Sequence, residues 1–188
     1  SNLNATTGPI YLSRDSMIME GANIRGGLAL CEDGIIKMGA KIYGASTFGP
    51  HCKIGGEVNN CIFQGYSNKG HEGYLGNSVI GEWCNFGADT NASNLKNTYK
   101  KIKPYNYRQN SAIDSGLLFL GLIMGDHSKT GINTMFNTGT VVGVFANIFG
   151  SGFPPTHIPS FSWGSAEHTE QYQFEKAMEV AREVMKRK

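Results

Sequence analysis

The hydrophobic positions of this chain repeat every six residues over its first third. Large apolar side chains stand at eight successive sixth positions: Leu12, Ile18, Ile24, Leu30, Ile36, Ile42, Phe48 and Ile54. A helix returns to one face at spacings of three and four and a strand at two, so a strict six indicates short strands joined by tight corners. Small residues four places later, such as Ala22, Ala40 and Cys52, complete a narrow core. The pattern predicts an all-β solenoid, a parallel β-helix.

The same repeat returns twice more along the chain. The register slips by two residues at 57–61 and is predicted to resume with Ile62, Tyr74, Ile80 and Phe86. A third run is predicted to place six residues inward: Leu118, Met124, Thr130, Phe136, Val142 and Ile148. Glycine accounts for 25 of the 188 residues and often follows the large position, where a corner needs positive φ or a close backbone approach.

Two segments depart from the repeat. Residues 93–112 contain five cations and no acid, and we predict an inserted loop that is either a solvated surface or an anion site. Prolines end the coils after Phe153, and from about 166 to 187 apolar residues recur at helical spacing. We therefore expect a β-helix domain at 1–153, followed at 154–188 by a proline-rich turn and an amphipathic C-terminal helix that covers a surface.

Composition narrows the classes of function. The formal net charge is +2, which gives no indication of nucleic-acid binding. No apolar run approaches the roughly 20 residues that span a bilayer, and no signal peptide is evident, so we expect a cytoplasmic protein without membrane contact. Cys52 and Cys84 fall at inward positions, and Cys31 and Cys61 lack metal-ligand spacing. Reduced packing residues are the favoured interpretation, with a disulfide or zinc as the alternative.

One stretch of sequence carries more specific information. Residues 67–76 have the sequence SNKGHEGYLG, residues 85–90 have NFGADT, and Asn94 follows. In its spacing of His71, Tyr74, Asn85 and Asn94, this stretch resembles the hexapeptide-repeat acetyltransferase domain of the bifunctional sugar-1-phosphate nucleotidylyltransferase/glucosamine-1-phosphate N-acetyltransferase family. Residues 125–134, GDHSKTGINT, are similar to the archaeal and related forms.

The resemblance implies a fold, an activity and a set of roles. It implies left-handed coils, a homotrimer with acetyl-CoA held between neighbouring subunits, and an upstream nucleotidyl-transfer domain. It implies N-acetylation of an amino-sugar 1-phosphate. The implied catalytic residues are His71 and Asn94, the implied substrate residues are Glu57, Tyr74, Asn85 and Lys100, and the implied acetyl-CoA residues are Ala88, Gly131 and Ser151. Either Lys37 or Lys41 would also contact the sugar phosphate.

General chemistry leads to a similar assignment. An amino sugar is mostly protonated at neutral pH, and only the free amine attacks a thioester, so the site needs a base whose pKa lies near the working pH. His71 fits that role. Tyr74 falls at a predicted inward position and is alternatively a core residue, and His127 is a second candidate base or a structural residue. Asn59 stands where the family has lysine, and 95–97 also depart from the bacterial pattern, so the identity of the sugar stays open.

Two other functions remain to be distinguished. The first is a non-catalytic β-helix that trimerises and regulates an upstream sugar-1-phosphate nucleotidylyltransferase. The second is the hexapeptide-fold carbonic anhydrase, which needs three histidines around a metal with two of them five residues apart. None of the five histidines has that spacing. Consumption of a thioester in the presence of an amino-sugar phosphate discriminates between the first alternative and the enzyme.

Overall fold

A computed structural model describes residues 1–187 of this chain. Up to the inserted segment, short strands follow one another around a three-sided prism. They are β1 (Asn2–Asn4), β2 (Ile10–Leu12), β3 (Met17–Ile18), β4 (Asn23–Arg25), β5 (Leu28–Leu30), β6 (Ile35–Ile36), β7 (Lys41–Tyr43), β8 (Ser46–Phe48), β9 (Lys53–Ile54), β10 (Glu57–Asn59), β11 (Ile62–Gly65), β12 (Asn68–Lys69), β13 (Tyr74–Gly76), β14 (Val79–Glu82) and β15 (Asn91–Ala92).

The inserted segment contains an antiparallel hairpin, and the prism then continues to the C-terminal helix. The remaining elements are β16 (Tyr105–Asn106), β17 (Ser111–Ala112), β18 (Ile123–Met124), β19 (Lys129–Thr130), β20 (Met135–Phe136), β21 (Val141–Val142), β22 (Asn147–Ile148), β23 (His157–Ile158), β24 (Ser162–Gly164), β25 (Thr169–Gln171) and α1 (Phe174–Met185).

The strands form three faces that run the length of the prism. Face A is β1-β4-β7-β10-β13-β15-β20, and face B is β2-β5-β8-β11-β14-β18-β21-β23. Face C consists of β3-β6-β9-β12 and β19-β22-β24-β25, which Asn85 links through parallel bridges to Asn68 and Lys129. Pairing between successive coils on these faces is parallel, and the coils wind as in a left-handed β-helix, which confirms the predicted fold class.

The core is a stack of apolar layers inside the prism. Most of the predicted large and small inward positions are fully buried, among them Ile36, Phe48, Ile54, Ala40 and Cys52. Glycine allows the coils to stack closely: a Cβ on Gly49 would overlap the backbone of Gln64 in the next coil. Because each layer contacts mainly its neighbours, the core lengthens with the number of coils.

Three of the inward positions predicted after Ile54 are wrong. Ile62 is 50% exposed, and Tyr74 is only partly buried; the adjacent Phe63 and Leu75 occupy the core instead. Leu118 is 45% exposed and lies in the inserted segment. The physical reason is a shortening of the coils after Ile54, in which some steps between faces take four or five residues instead of six. A five-residue step shifts the register by one residue and so moves the next side chain from one side of the wall to the other.

The inserted segment leaves the prism between β15 and β18, at the edge that joins faces A and B. Ile102 is fully buried and covers Gly139, so the base of the segment is packed against the coils. At its tip, the ring of Tyr105 stacks on that of His157 of β23, with centroids 3.4 Å apart. The segment therefore lies over face B.

The C-terminal helix begins later than the sequence pattern indicates. Thr169–Gln171 form β25, which pairs antiparallel with β24, so the helix starts only at Phe174 instead of near 166. Ala177 and Ala181 are its buried side chains, whereas Phe174 is 58% exposed. In the part of the chain from 1 to 187 no helix has the length and apolarity to cross a membrane. Lys188, the last residue of the predicted C-terminal region, lies outside the described residues.

A column of six rings runs along the edge between faces B and C. It consists of His51, Tyr66, Trp83, His127, Phe145 and Phe161, one from each successive coil, and we call it the aromatic column. All six have φ between 54° and 60°, the left-handed region that usually favours glycine or asparagine. Adjacent ring centroids lie 4.2 to 6.1 Å apart with nearly parallel planes. The corner residues thus pack on one another along this edge.

Candidate active site

Two of the four residues predicted to bind the substrate, Glu57 and Tyr74, lie on the outer surface of face A. Glu57 and Tyr74 are direct neighbours there, because β10 pairs with β13 in that register. Tyr43 of β7 donates its hydroxyl to Glu57 Oε1 at 2.5 Å, and this bond to the carboxylate raises the pKa of Tyr43 to about 12. Glu57 is therefore held in place by a neighbour on the preceding strand.

Tyr74 lies flat along face A, outside the core. Asn94 Nδ2 donates to the Tyr74 hydroxyl at 3.0 Å and to Asn77 Oδ1 at 2.7 Å, and the Tyr74 amide donates to Asn91 Oδ1 at 2.8 Å. Gly76 leaves the room that this arrangement needs, since a Cβ there would stand 2.7 Å from Asn94 Nδ2. Burial raises the pKa of Tyr74, so the phenol stays protonated. The structure thus joins two predicted site residues, Tyr74 and Asn94, by a hydrogen bond.

His71 lies at the edge between faces C and A, which we call the C–A edge. Its side chain is exposed, in the corner that connects β12 to β13. The next residue, Glu72, forms an ion pair with Lys41 at 3.5 Å, and Lys41 is itself the register neighbour of Glu57. Of the two lysines considered for the phosphate, Lys41 is therefore the one on the same face as Tyr74.

The predicted acetyl-CoA residues follow the same C–A edge in later coils. The Asp89 amide donates to Glu72 O at 3.0 Å, which stacks the corner of Ala88 on that of His71. The Asn133 amide donates to Ala88 O at 2.8 Å, and Gly131 packs against Phe149 in the coil beyond. Ser151 is exposed in the turn that follows Phe149. Ala88, Gly131 and Ser151 are thus aligned with His71 along one edge.

A groove next to Tyr74 combines a polar and an apolar part. Its volume is about 400 Å³, and its lining includes Tyr74, Asn91, Ser93, Met135 and Phe153. The amide and phenol groups lie at one end, and the methionine and phenylalanine lie at the other. Such a lining suits a ligand with a polar reacting group and a flexible, partly apolar chain.

A second groove lies further along the same face. Its volume is about 350 Å³, and Arg25, Lys41 and Tyr43 are among the residues that line it. Two cationic side chains on one wall favour an anionic ligand group. The two grooves lie on face A on either side of Glu57, since β10 separates β7 from β13.

Two predicted site residues lie elsewhere in the chain. Asn85 is on the outer surface of face C, where Asn68 Nδ2 donates to its Oδ1 at 3.2 Å. Lys100 is exposed in the inserted segment, whose tip lies over face B. Neither belongs to the Glu57, Tyr74 and Asn94 group within one chain.

His127 has a structural environment. It stands in the aromatic column between Trp83 and Phe145, and its Nδ1 is buried without a hydrogen-bond partner among the described residues. Burial and the nearby Lys129 lower the pKa of His127, against an opposing effect of Asp126. The imidazole is therefore neutral at pH 7 and mainly a packing group.

Several residues of this region were not singled out in the sequence. Asn91 accepts from the Tyr74 amide, Asn77 accepts from Asn94, and Tyr43 donates to Glu57. Lys69 is buried beneath the His71 corner. The hexad spacing contains the signal for Lys69, because the sixth residue after the buried Phe63 is a lysine. In residues 1–187 no group of three or more His, Cys, Asp or Glu side chains is arranged to hold a metal.

No family model matches the chain, but individual proteins of known sequence and structure do. The bifunctional sugar-1-phosphate nucleotidylyltransferase/acetyltransferase of Sulfurisphaera tokodaii is 38% identical over 99 residues, which cover 52% of this chain and 24% of that protein. The chain spans about a quarter or less of the length of the curated relatives that it matches first.

Solved structures share the fold at low sequence identity. The polySia-specific acetyltransferase NeuO superimposes with a TM-score of 0.56 at 16% identity, covering 90% of this chain and 78% of that one. A point mutant of AntD, an N-acyltransferase from Bacillus cereus, in complex with dTDP and coenzyme A, has a TM-score of 0.54 at 14% identity and covers 95% and 92%. Together with the bifunctional relative, these matches confirm the resemblance stated from the motifs.

Proposed function

We propose that this chain, a relative of the bifunctional nucleotidylyltransferase/acetyltransferases, is an N-acetyltransferase. It would transfer the acetyl group of acetyl-CoA to the amine of an amino-sugar 1-phosphate, in the cytoplasm, as one part of a longer nucleotide-sugar enzyme. The observation that supports this most is the groove beside Tyr74. It is lined by Tyr74, whose hydroxyl accepts a hydrogen bond from Asn94, and by Phe153, which lies two residues after Ser151 in the sequence.

The sugar is proposed to lie across face A. Glu57, Tyr74 and Asn94 present a carboxylate, a phenol and an amide for its hydroxyl groups. Lys41 lies two strands from Tyr74, a distance of roughly 10 Å at the usual spacing between strands. That distance suits a sugar whose amine reacts near Tyr74 and whose phosphate contacts Lys41 and Arg25. Lys100, which is separate from these residues within one chain, would contact the phosphate from a neighbouring subunit.

His71 is proposed as the general base. It would accept the proton of the attacking amine while the nitrogen bonds to the thioester carbonyl carbon and the carbon–sulfur bond breaks. The products are the N-acetyl sugar phosphate and the CoA thiol, which recovers the proton. Asn94 would hydrogen-bond near the reacting nitrogen. Proton transfer by a positioned group usually contributes about 10²–10⁴ in rate.

A homotrimer is part of the proposal, because single-chain geometry leaves the site incomplete. Asn85 lies on face C, whereas Tyr74 and Asn94 lie on face A of the same chain. A neighbouring subunit whose face C packs beside the C–A edge would supply its own Asn85 to the groove. Acetyl-CoA would then lie between two prisms.

The deciding experiment mixes the purified chain with acetyl-CoA and glucosamine 1-phosphate and follows the acetylated sugar by mass spectrometry. Product formation that requires His71, and is retained in the core variant Ile36→Met, supports the proposal. Binding of coenzyme A without product from several amino-sugar phosphates would instead favour the regulatory, non-catalytic class. Absence of both binding and product would contradict the acetyl-CoA assignment altogether.

A further inference from the structure

The corner directly below His71 is shorter than the regular corners at the C–A edge. From Ile54 of face C to Val58 of face A the chain advances four residues, whereas the corners before and after it take six, as from Ile36 to Ile42 and from Lys69 to Leu75. Gly55 and Gly56 form this short corner, and Gly56 has φ of +68°. The coil that carries His71 therefore stacks on a corner that lacks two residues.

The short corner removes the hydrogen bond that a corner amide usually donates to the coil below. At regular C–A corners an amide donates to a carbonyl of the coil below, as from Gly39 to Glu20 O at 3.0 Å and from Asp89 to Glu72 O at 3.0 Å. Among the hydrogen bonds of residues 1–187, no amide of 71–73 donates in this way. Gly73 also has φ of +118°, whereas Gly39 and Asp89 of those regular corners have φ of 68° and 56°. The His71 corner therefore lacks the hydrogen bonds that its own amides would donate downward, and the Glu57 amide, which donates to Gly73 O at 3.2 Å, is its backbone contact with the coil below.

Lys69 occupies the space that the missing residues leave. Its Nζ donates to Gly55 O in the short corner at 3.0 Å and to His71 O in the corner above at 3.1 Å. Lys69 is 2% exposed and stands in the core column of face C, between Ile54 and Phe86. Gly56 accommodates it, because a Cβ there would lie 2.7 Å from Nζ.

We propose that Lys69 is a positioning residue, which holds the His71 corner in place from inside the prism by bridging it to the short corner beneath. The proposal rests on the proposed function in so far as His71 is the base. Because the lysine bonds to the backbone carbonyl of His71, the imidazole remains free to face the substrate. On the outer surface, Glu72 reaches past the short corner to form its ion pair with Lys41.

Core packing alone does not account for a lysine at this position. The equivalent residues of the neighbouring coils, Ile36, Ile54 and Phe86, are apolar, and burial of an ammonium is unfavourable. Burial lowers the pKa of Lys69 to about 8, partly offset by Glu72, Cys61 and Asp89. A neutral amine still carries two N–H donors, enough for both carbonyls, so the bridge does not depend on the charge.

The test replaces Lys69 by Met, which is unbranched, ends one bond short of Nζ and removes the donors, and uses Ile36→Met as a matched control in the same core column. Hydrogen exchange is followed in the peptides that carry Glu57 and Asp89, whose amides donate to Gly73 O and Glu72 O of the His71 corner. We expect exchange at least tenfold faster in Lys69→Met and unchanged in the control. We also expect kcat to fall about tenfold, with both KM values within twofold of wild type.

Each outcome decides the matter. Unchanged exchange at this corner would overturn the proposal and leave Lys69 as a core residue only. Faster exchange with unchanged kcat would show that the corner needs no ordering for catalysis and would also overturn it. If wild type lacks acetyltransferase activity, the proposed function fails, and exchange alone decides whether Lys69 orders the corner. If Lys69→Met does not fold, Lys69→Leu, which is shorter and also lacks donors, is measured in the same way.

Discussion

At the scale of single residues, the exposed side chain of His71 makes a clean test of catalysis. His71→Ala removes little packing, since the imidazole lies outside the prism. We expect unchanged melting temperature and assembly, but a kcat lowered by about 10²–10⁴. Steady-state kinetics with acetyl-CoA and an amino-sugar phosphate provide the measurement, and circular dichroism provides the control. Wild-type turnover in this variant would exclude His71 as the base.

The burial of Lys69 leads to a second prediction, which concerns how the free energy of unfolding depends on pH. Its pKa is about 8 in the folded chain and near 10.5 when unfolded, so the unfolded state binds the proton more tightly between those values. The free energy of unfolding should therefore rise as pH increases from 8 to 10.5. Urea titrations of wild type and Lys69→Met across this range check it. A difference between the two proteins that stays constant with pH would contradict the assigned burial.

His127 makes a third prediction, because its ring is buried between two others. His127→Phe keeps the stacking with Trp83 and Phe145 and removes the unpartnered Nδ1. We expect a gain of about 1 kcal/mol, which corresponds to a rise of about 2–4 °C in Tm, with activity retained. Calorimetry measures it. The reverse exchange one coil later, Phe145→His, is the matched control and should lower Tm. Loss of turnover in His127→Phe would identify it as the base instead.

Single positions also show where sequence reasoning reached its limit. The spacing of His71, Tyr74 and Asn94 identified side chains that the structure places on adjoining surfaces, and two of them share a hydrogen bond. The spacing could not show that Tyr74 lies outside the core, because one omitted residue moves a side chain through the wall of a coil. Nor could it show that Lys69 bonds to two carbonyls, since that depends on the length of a corner in another coil.

At the scale of elements, regular coils were predictable and irregular ones were not. The six-residue repeat gave the buried positions from Ile24 to Ile54, where every step between faces has the same length. The positions buried after the later steps of four or five residues could not be predicted, because the sequence does not show which corner is shortened. The helix was displaced for a different reason, because β25 uses part of the predicted segment to pair with β24. Helical periodicity in the sequence does not show that the first residues of the segment pair with the preceding strand instead.

At the scale of the whole molecule, we expect a homotrimer. The helix buries Ala177 and Ala181 but leaves the apolar side chains of Phe174, Val180 and Met185 exposed. In addition, Asn85 is separated from Tyr74 within one chain. Light scattering should report the mass of three chains of 20.4 kDa each. Deletion of the residues after Ser165 should weaken assembly more than it alters the β signal. A monomer at micromolar concentration would remove the proposed site between subunits.

The inserted segment has a consequence for how the chain folds. The other strands on face A meet partners 16 to 21 positions away, but Ala92 meets Phe136, 44 positions away. Closure of the longer loop costs only about 0.8 kcal/mol more in chain entropy, because that cost grows with the logarithm of length. The insertion therefore has little effect on the free energy of folding, but it interrupts the propagation of folding from one coil to the next. Folding should advance quickly up to β15, pause, and resume once β18 and β20 arrive.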